Sequence, residues 1–202
     1  MANDTLIETE VRVSPAAHLA QEMADASAAG DLSLSEVAFS TNVSVRVAPG
    51  TAGYDAVAAA TGVGLPTKVT EVSGEVSSVA ALWLGPDEFL VTVQEDAGLR
   101  AKLEEALGQN PGQVVDLSAN RSVLELVGAK APLVLRKSCP ADLHPRAFGV
   151  NQAITTSLAN IPVLLWRTGE ESWRIMPRAS FTEHTVRWLI DAMLEFTSEP
   201  VD

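Results

Sequence analysis

Leu82-Trp83-Leu84-Gly85-Pro86-Asp87-Glu88-Phe89 reads as a hairpin: an apolar strand end, a turn built on Gly, Pro and Asp, and an aromatic at the start of the return. The same design recurs at Leu165-Trp166-Arg167-Thr168-Gly169-Glu170-Glu171-Ser172-Trp173, with a Thr-Gly-Glu-Glu turn in place of Gly-Pro-Asp-Glu. In each case aromatics on paired strands are expected to share a half-buried sheet face.

Reading outward from the two hairpins, the chain repeats itself. Val43-Ser44-Val45-Arg46-Val47 alternates like a strand, and Tyr54 to Thr61 reads as a helix closed by Gly62. Strand candidates follow near 68–73, 77–84 and 88–93, then a helix from Asp96 to Leu107 closed by Gly108. Val114-Val115-Asp116-Leu117 is a crossing strand, after which the order begins again. Ser122 to Val127 alternates, Ala131 to Lys137 is helical, and strands lie near 152–158, 162–167 and 172–176. A helix from Phe181 to Phe196 ends the second round.

Each round is β-α-β-β-β-α. The expected fold class is therefore α+β, with duplicated β-α-β-β-β-α units and mainly antiparallel sheets. The expected organisation is a polar arm over 1–13, one compact domain over 14–196 and a tail over 197–202. Within the domain the pseudo-repeats span about 43–108 and 120–196.

Two helix ends carry further signals. Ser14-Pro15 predicts an N-cap and first turn, with Gly30 past the end of that helix. Its apolar stripe of Leu19, Met23 and Ala26 is narrow, so the helix is expected to need a neighbour, on this chain or another. In the last helix Phe181, Trp188, Leu189, Ala192 and Phe196 form an apolar face opposite Glu183, Arg187, Asp191 and Glu195. Ser180 with Glu183 fits a capping box.

Bulk properties narrow the function classes. A chain of 202 residues with 47% hydrophobic residues can bury a sizeable core. Its longest apolar runs, Val79 to Leu84 and Ile161 to Trp166, are strand-sized. The net charge of −12, with 14 Lys and Arg spread along the chain, argues against nucleic acid and against a membrane surface, while leaving a basic partner open. The first residues show no basic-then-apolar leader, and one cysteine cannot form an internal disulfide, so a cytoplasmic location is expected.

The densest chemistry lies at Cys139-Pro140-Ala141-Asp142-Leu143-His144-Pro145-Arg146-Ala147-Phe148. Three readings compete. As a nucleophile, Cys139 would need a depressed pKa, yet it follows a helix and meets the negative end of its dipole. As a metal site, Cys139, Asp142 and His144 lack a completing Cys or His cluster, with His18 and His184 distant in sequence. As a structured loop, two prolines restrict the backbone, Asp142 accepts N–H groups, Arg146 binds carbonyls or a carboxylate, and Leu143 and Phe148 anchor the segment. The loop reading is favoured, with Cys139, Asp142, His144, Arg146 and Phe148 as structural or partner-contact residues and no catalytic, cofactor-binding or metal residue assigned. Gly62-Val63-Gly64 lacks a third glycine, and phosphate-loop and nucleophile-elbow motifs are missing. Asp87 and Glu88 read as a solvated turn. Asp116 and Glu125 lie in strands, where one of them is expected to be partly buried and paired.

Three segments together carry a resemblance: Trp83-Leu84-Gly85-Pro86-Asp87-Glu88-Phe89-Leu90, the Cys139 to Phe148 run, and Ser180-Phe181 with Trp188-Leu189. In order and spacing they resemble the gamma subunits of heterotetrameric sarcosine oxidase, with Phe89 standing where many relatives have Trp. A wider similarity, through Asp116-Leu117-Ser118, Val123 to Gly128, Ala131, Leu133 to Leu135 and Asp142-Leu143, links the chain to the folate-binding aminomethyltransferase of glycine cleavage. The resemblance implies that fold, and a non-catalytic accessory subunit that stabilises larger flavin-bearing chains. The implied complex demethylates sarcosine oxidatively to glycine, forms hydrogen peroxide, and with tetrahydrofolate yields 5,10-methylenetetrahydrofolate. FAD, FMN, NAD and the folate site are implied for the larger subunits and none for this chain. The alternative is a folate-binding module or free-standing one-carbon transferase, which requires an open pocket lined by aromatics and a carboxylate.

Overall fold

The computed structural model describes residues 12–27 and 32–197; the expected arm up to residue 11, the Gly30 stop and the tail from residue 198 lie outside them. Among the described residues ten strands and five α-helices follow in order. They are α1 (Ala20–Ser27), β1 (Ser33–Glu36), β2 (Thr41–Arg46), α2 (Ala52–Thr61), β3 (Val72–Gly74), β4 (Ala80–Gly85), β5 (Glu88–Val93) and α3 (Leu99–Leu107). Then come β6 (Gln113–Asp116), β7 (Leu124–Val127), α4 (Ala131–Arg136), β8 (Gln152–Leu158), β9 (Ile161–Arg167), β10 (Ser172–Pro177) and α5 (Thr182–Thr197).

The two rounds have the same topology. One sheet has the order β3-β4-β5-β2-β6 and the other β8-β9-β10-β7-β1, and all named pairings are antiparallel. The fifth strand of each sheet comes from the other half of the chain. β1 precedes the first round yet pairs with β7 of the second, and β6 precedes the second round yet pairs with β2 of the first. The chain thus crosses between the sheets twice, at 37–40 and at 117–123.

Side-chain alternation along the strands sorts the core into layers. On one outer face Leu126, Val163, Leu165 and Ile175 pack with Leu19 and Met23, with Val134 and Leu135 of α4, and with Leu189 and Met193 of α5. On the other, Val43, Val45, Phe89 and Val91 pack with Val57 of α2 and Leu99 and Leu103 of α3. Between the sheets, Ala80, Leu82 and Leu90 meet Ala153, Leu164, Trp166 and Met176. The order of layers is helices, sheet, sheet, helices.

Local chemistry explains most boundaries. Thr51 caps α2 by accepting the Tyr54 N–H at 3.2 Å, and Gly62 ends it in the left-handed region at φ 79°. The β8–β9 connection is a two-residue turn with both central residues, Ala159 and Asn160, at positive φ (51° and 64°), matching the right-handed twist of the strands.

Some expectations are met and others are corrected. The narrow stripe of α1 is covered within the chain, by β1 and α5. Ser14 does not cap with its side chain; its hydroxyl donates to Glu36, whose other oxygen accepts the Ala16 N–H at 3.1 Å. Ser180 and Glu183 form no capping box. Ser180 lies in a 3-10 turn (Ala179–Phe181), and Glu183 instead accepts from Arg187 at 3.1 Å. Phe181 is exposed rather than core, and Val186 and Met193 complete the buried stripe of α5. In the first hairpin Trp83 does face Phe89 across the strands. In the second, Trp173 faces Arg167 and Trp166 faces Arg174, so the two tryptophans lie on opposite faces of their sheet.

Candidate functional site

The loop predicted from 139 to 148 springs from the end of α4, whose Leu135 carbonyl accepts the Cys139 N–H at 2.9 Å. It divides by burial. Cys139, Leu143 and Phe148 turn inward into the helix-side core, while Asp142, His144 and Arg146 are exposed. Phe148 stacks on Trp173 with 5.8 Å between centroids and 9° between planes. Cys139 Sγ lies 3.8 Å from the Thr156 hydroxyl on β8.

The outer half is braced by its own polar groups. Asp142 Oδ1 accepts the His144 N–H at 2.9 Å, an Asx turn. His144 Nδ1 accepts the Arg146 N–H at 3.2 Å, and the His144 carbonyl accepts from Ala147 and Phe148. Thiol and imidazole therefore face different environments, the thiol toward a half-buried threonine of β8 and the imidazole toward its own backbone. A nucleophile and its base need direct hydrogen-bond reach, and this arrangement spends both groups elsewhere.

The backbone-holding arginine is not Arg146. Among the described residues the Arg146 guanidinium has neither a hydrogen bond nor an ion pair. That work falls to Arg167 on β9, with a side chain 5% exposed. It donates to the Phe148 carbonyl at 2.9 Å, to the Glu170 carbonyl at 2.9 Å and to the Gly169 carbonyl at 3.3 Å. Its guanidinium also lies 5.5 Å from the Trp173 ring centroid. The signal was present in the sequence: a cation at the end of the run Leu164-Leu165-Trp166 has to find acceptors if the strand is buried.

The remaining candidates separate as well. His18 sits 3.6 Å from Glu183, and His184 Nε2 is 3.3 Å from the Ala159 carbonyl. Among the described residues no group of three or more His, Cys, Asp and Glu side chains is placed to hold a metal ion. Asp116 is held by the Ser118 hydroxyl at 2.6 Å and the Ser118 N–H at 2.8 Å, which keep its carboxyl below the ordinary range. Glu125 is the paired strand carboxylate: it faces Arg174 across β7 and β10 at 3.6 Å. Burial pulls the Arg174 guanidinium down, and Glu125 opposes that shift.

A cleft of about 500 Å³ opens where the two crossovers pass, between Glu36, Val37, Phe39, Asp116, Arg121 and Val123. It offers one aromatic ring, and both carboxylates already serve internal donors, Glu36 for Ser14 and Ala16 and Asp116 for Ser118. Arg121 donates to the Met176 carbonyl at 3.0 Å. These groups tie the crossover segments to their surroundings.

Comparison with known proteins bears on this geometry. A family model described as "Sarcosine oxidase, gamma subunit family" matches residues 47–195. The sarcosine oxidase subunit gamma of Corynebacterium sp. (strain P-1) is 69% identical over 202 residues, covering 100% of both chains. A chain of the heterotetrameric sarcosine oxidase from Corynebacterium sp. U-96, solved in complex with pyrrole 2-carboxylate, superposes with a TM-score of 0.93 at 67% identity, covering 96% of this chain and 100% of that one. The glycine cleavage system aminomethyltransferase T from Bartonella henselae superposes with a TM-score of 0.58 at 18% identity, over 85% of this chain and 48% of that one, a likeness of fold alone.

Proposed function

The chain belongs to the sarcosine oxidase gamma subunit family, and from that premise we propose that it serves as the non-catalytic accessory subunit of a heterotetrameric sarcosine oxidase, holding larger flavin-bearing subunits in a stable assembly. The observation that carries the reading is the division of the 139–148 loop. Its inner side chains are used in packing, and its outer ones, Asp142, His144 and Arg146, are presented on a braced backbone. A preformed loop of this kind loses little conformational freedom on binding, which favours a contact surface.

On this reading the complex performs oxidative demethylation of sarcosine to glycine, with hydrogen peroxide and, when tetrahydrofolate is present, 5,10-methylenetetrahydrofolate as further products. FAD, FMN, NAD and tetrahydrofolate then belong to the larger subunits. Residues 14–196 act as one domain, a view supported by the apolar cluster shared between the two sheets. The lone thiol of Cys139 suits a reducing cytoplasm.

The test is expression of the larger subunits with and without this chain, followed by purification and thermal denaturation. Co-purification and a higher unfolding temperature of the full assembly are expected. A monomer that leaves the larger subunits unaffected overturns the proposal. Saturable tetrahydrofolate binding by this chain alone would instead favour a folate-binding module.

A further inference from the structure

Charge is distributed unevenly along this acidic chain. Residues 128–150 carry Lys130, Arg136, Lys137 and Arg146 against a single carboxylate, Asp142; they hold +3 of a total of −12, leaving −15 on the remainder. The segment contains α4 and the 139–148 loop, so the excess falls on one contiguous stretch of fold.

The side chains there are arranged for an outside partner. Ala131, Val134 and Leu135 are buried, while Lys130, Leu133 and Arg136, three residues apart, mark the opposite, exposed face of α4. Lys137 is engaged by α5, 2.8 Å from Glu195 and donating to the Ala192 carbonyl at 2.7 Å. Lys130, Arg136 and Arg146 have no hydrogen bond or ion pair from their side chains among the described residues. Elsewhere the guanidinium groups of Arg46, Arg100, Arg174 and Arg187 each face a carboxylate, and the other cations without a side-chain partner among the described residues, Lys68, Lys102 and Arg178, are scattered along the chain. Two apolar residues, Leu133 at 39% exposure and Val150 at 43%, lie within the same segment. Arginine beside apolar surface is the composition of an interface centre rather than of ordinary solvated surface.

We infer that the exposed face of α4 and the outer side of the 139–148 loop form a cationic docking surface for an acidic patch on a larger subunit of the complex. The inference rests on the accessory-subunit reading and gives that contact its chemistry. An acidic partner is repelled by most of this chain and attracted by this one face, so the charge pattern selects orientation as well as partner. Burying the exposed Leu133 and Val150 of the same segment supplies the uncharged part of the contact.

Reassembly of purified full-length chain with the larger subunits, followed by titration across salt concentrations, tests the surface. The triple reversal Lys130→Glu, Arg136→Glu, Arg146→Glu is compared with a matched reversal elsewhere, Lys68→Glu, Lys102→Glu, Arg178→Glu. The first is expected to weaken association by about tenfold or more and to remove its salt dependence between about 50 and about 500 mM, while the second leaves both near wild type. The neutral set Lys130→Gln, Arg136→Gln, Arg146→Gln is expected to fall between, with unchanged thermal unfolding of the isolated chain. Wild-type-like binding by both the reversed and the neutral set, or equal loss in the matched control, overturns the surface while leaving the accessory role standing. A wild-type chain that does not associate at all removes both.

Discussion

Replacing Arg167 with alanine should unfold the loop's anchorage, and its cost can be built from the contacts. The Phe148 carbonyl, buried beneath the loop, loses a charge-assisted donor at 2.9 Å, worth about 1.5–3 kcal/mol. The Glu170 carbonyl lies in an exposed turn and recovers water, so its loss is held to about 0.5–1 kcal/mol. The contact with the Trp173 face adds about 0.5–1 kcal/mol. Releasing the guanidinium from a nearly dry site offsets about 1 kcal/mol of this. The net is about 3 kcal/mol, which for a chain of this size lowers the melting temperature by about 6–12 °C. Arg146→Ala removes no internal partner and should change stability by less than about 0.5 kcal/mol. Thermal and urea denaturation of both variants, with Arg167→Met to retain the apolar stem, separates hydrogen bonding from packing. If Arg146→Ala destabilises as much as Arg167→Ala, or if Arg167→Ala melts within about 2 °C of wild type, the assignment of the anchoring arginine is wrong.

Other outcomes follow from the same geometry. Phe148→Ala, which deletes a ring 3% exposed and stacked on Trp173, should cost about 3–5 kcal/mol in urea unfolding, and a loss below about 1 kcal/mol would contradict the packing described. Cys139→Ser should leave turnover of the assembled oxidase unchanged while lowering stability by about 1 kcal/mol, since it places a hydroxyl in a largely apolar site; loss of turnover in intact complex would restore the thiol as a reactant. Glu71 is held below its ordinary value of 4.5, chiefly by the Thr67 N–H; desolvation opposes this, and the Lys68 N–H and the Thr67 hydroxyl add to the lowering. Its folded pKa being the lower one, its stabilisation is present above pH 4.5 and lost as the pH falls through the folded value. Melting curves of Glu71→Gln should therefore show a shallower acid limb than wild type, and an identical slope would exclude the carboxylate.

The residues of the candidate site were legible to different depths. The apolar anchors Leu143 and Phe148 announce themselves because they are the large apolar side chains of a segment otherwise made of prolines, small residues and charged or polar groups, and such side chains have few places to go except the core. Assigning the arginine failed, because Arg146 is adjacent in sequence and Arg167 is adjacent only in space, brought there by the register that sets Arg167 opposite Trp173. The same register moved Trp166 and Trp173 to opposite faces although both hairpins spell the same pattern. Turn length sets which residues face each other, and composition alone does not reveal it. The caps proposed at Ser14 and Ser180 failed for a related reason: Glu36 and Arg187 lie within reach of those helix starts and take up the groups involved.

Alternation and glycine stops were enough to specify the six elements of each round in their common order, because strand and helix periods are properties of neighbouring residues. They specified the duplication for the same reason. They did not reveal that the halves exchange strands. β1 and β6 are four residues long, and each buries one apolar side chain, Leu34 in the first and Val114 in the second. Such a strand states only that it is an edge; either sheet could satisfy its hydrogen bonds. The choice is made by the two crossovers, which place β1 beside β7 and β6 beside β2. With both exchanges in place the inner faces of the sheets close over Leu82, Leu90, Leu164 and Trp166. The repeats are thus written locally, and their union is written only in tertiary structure.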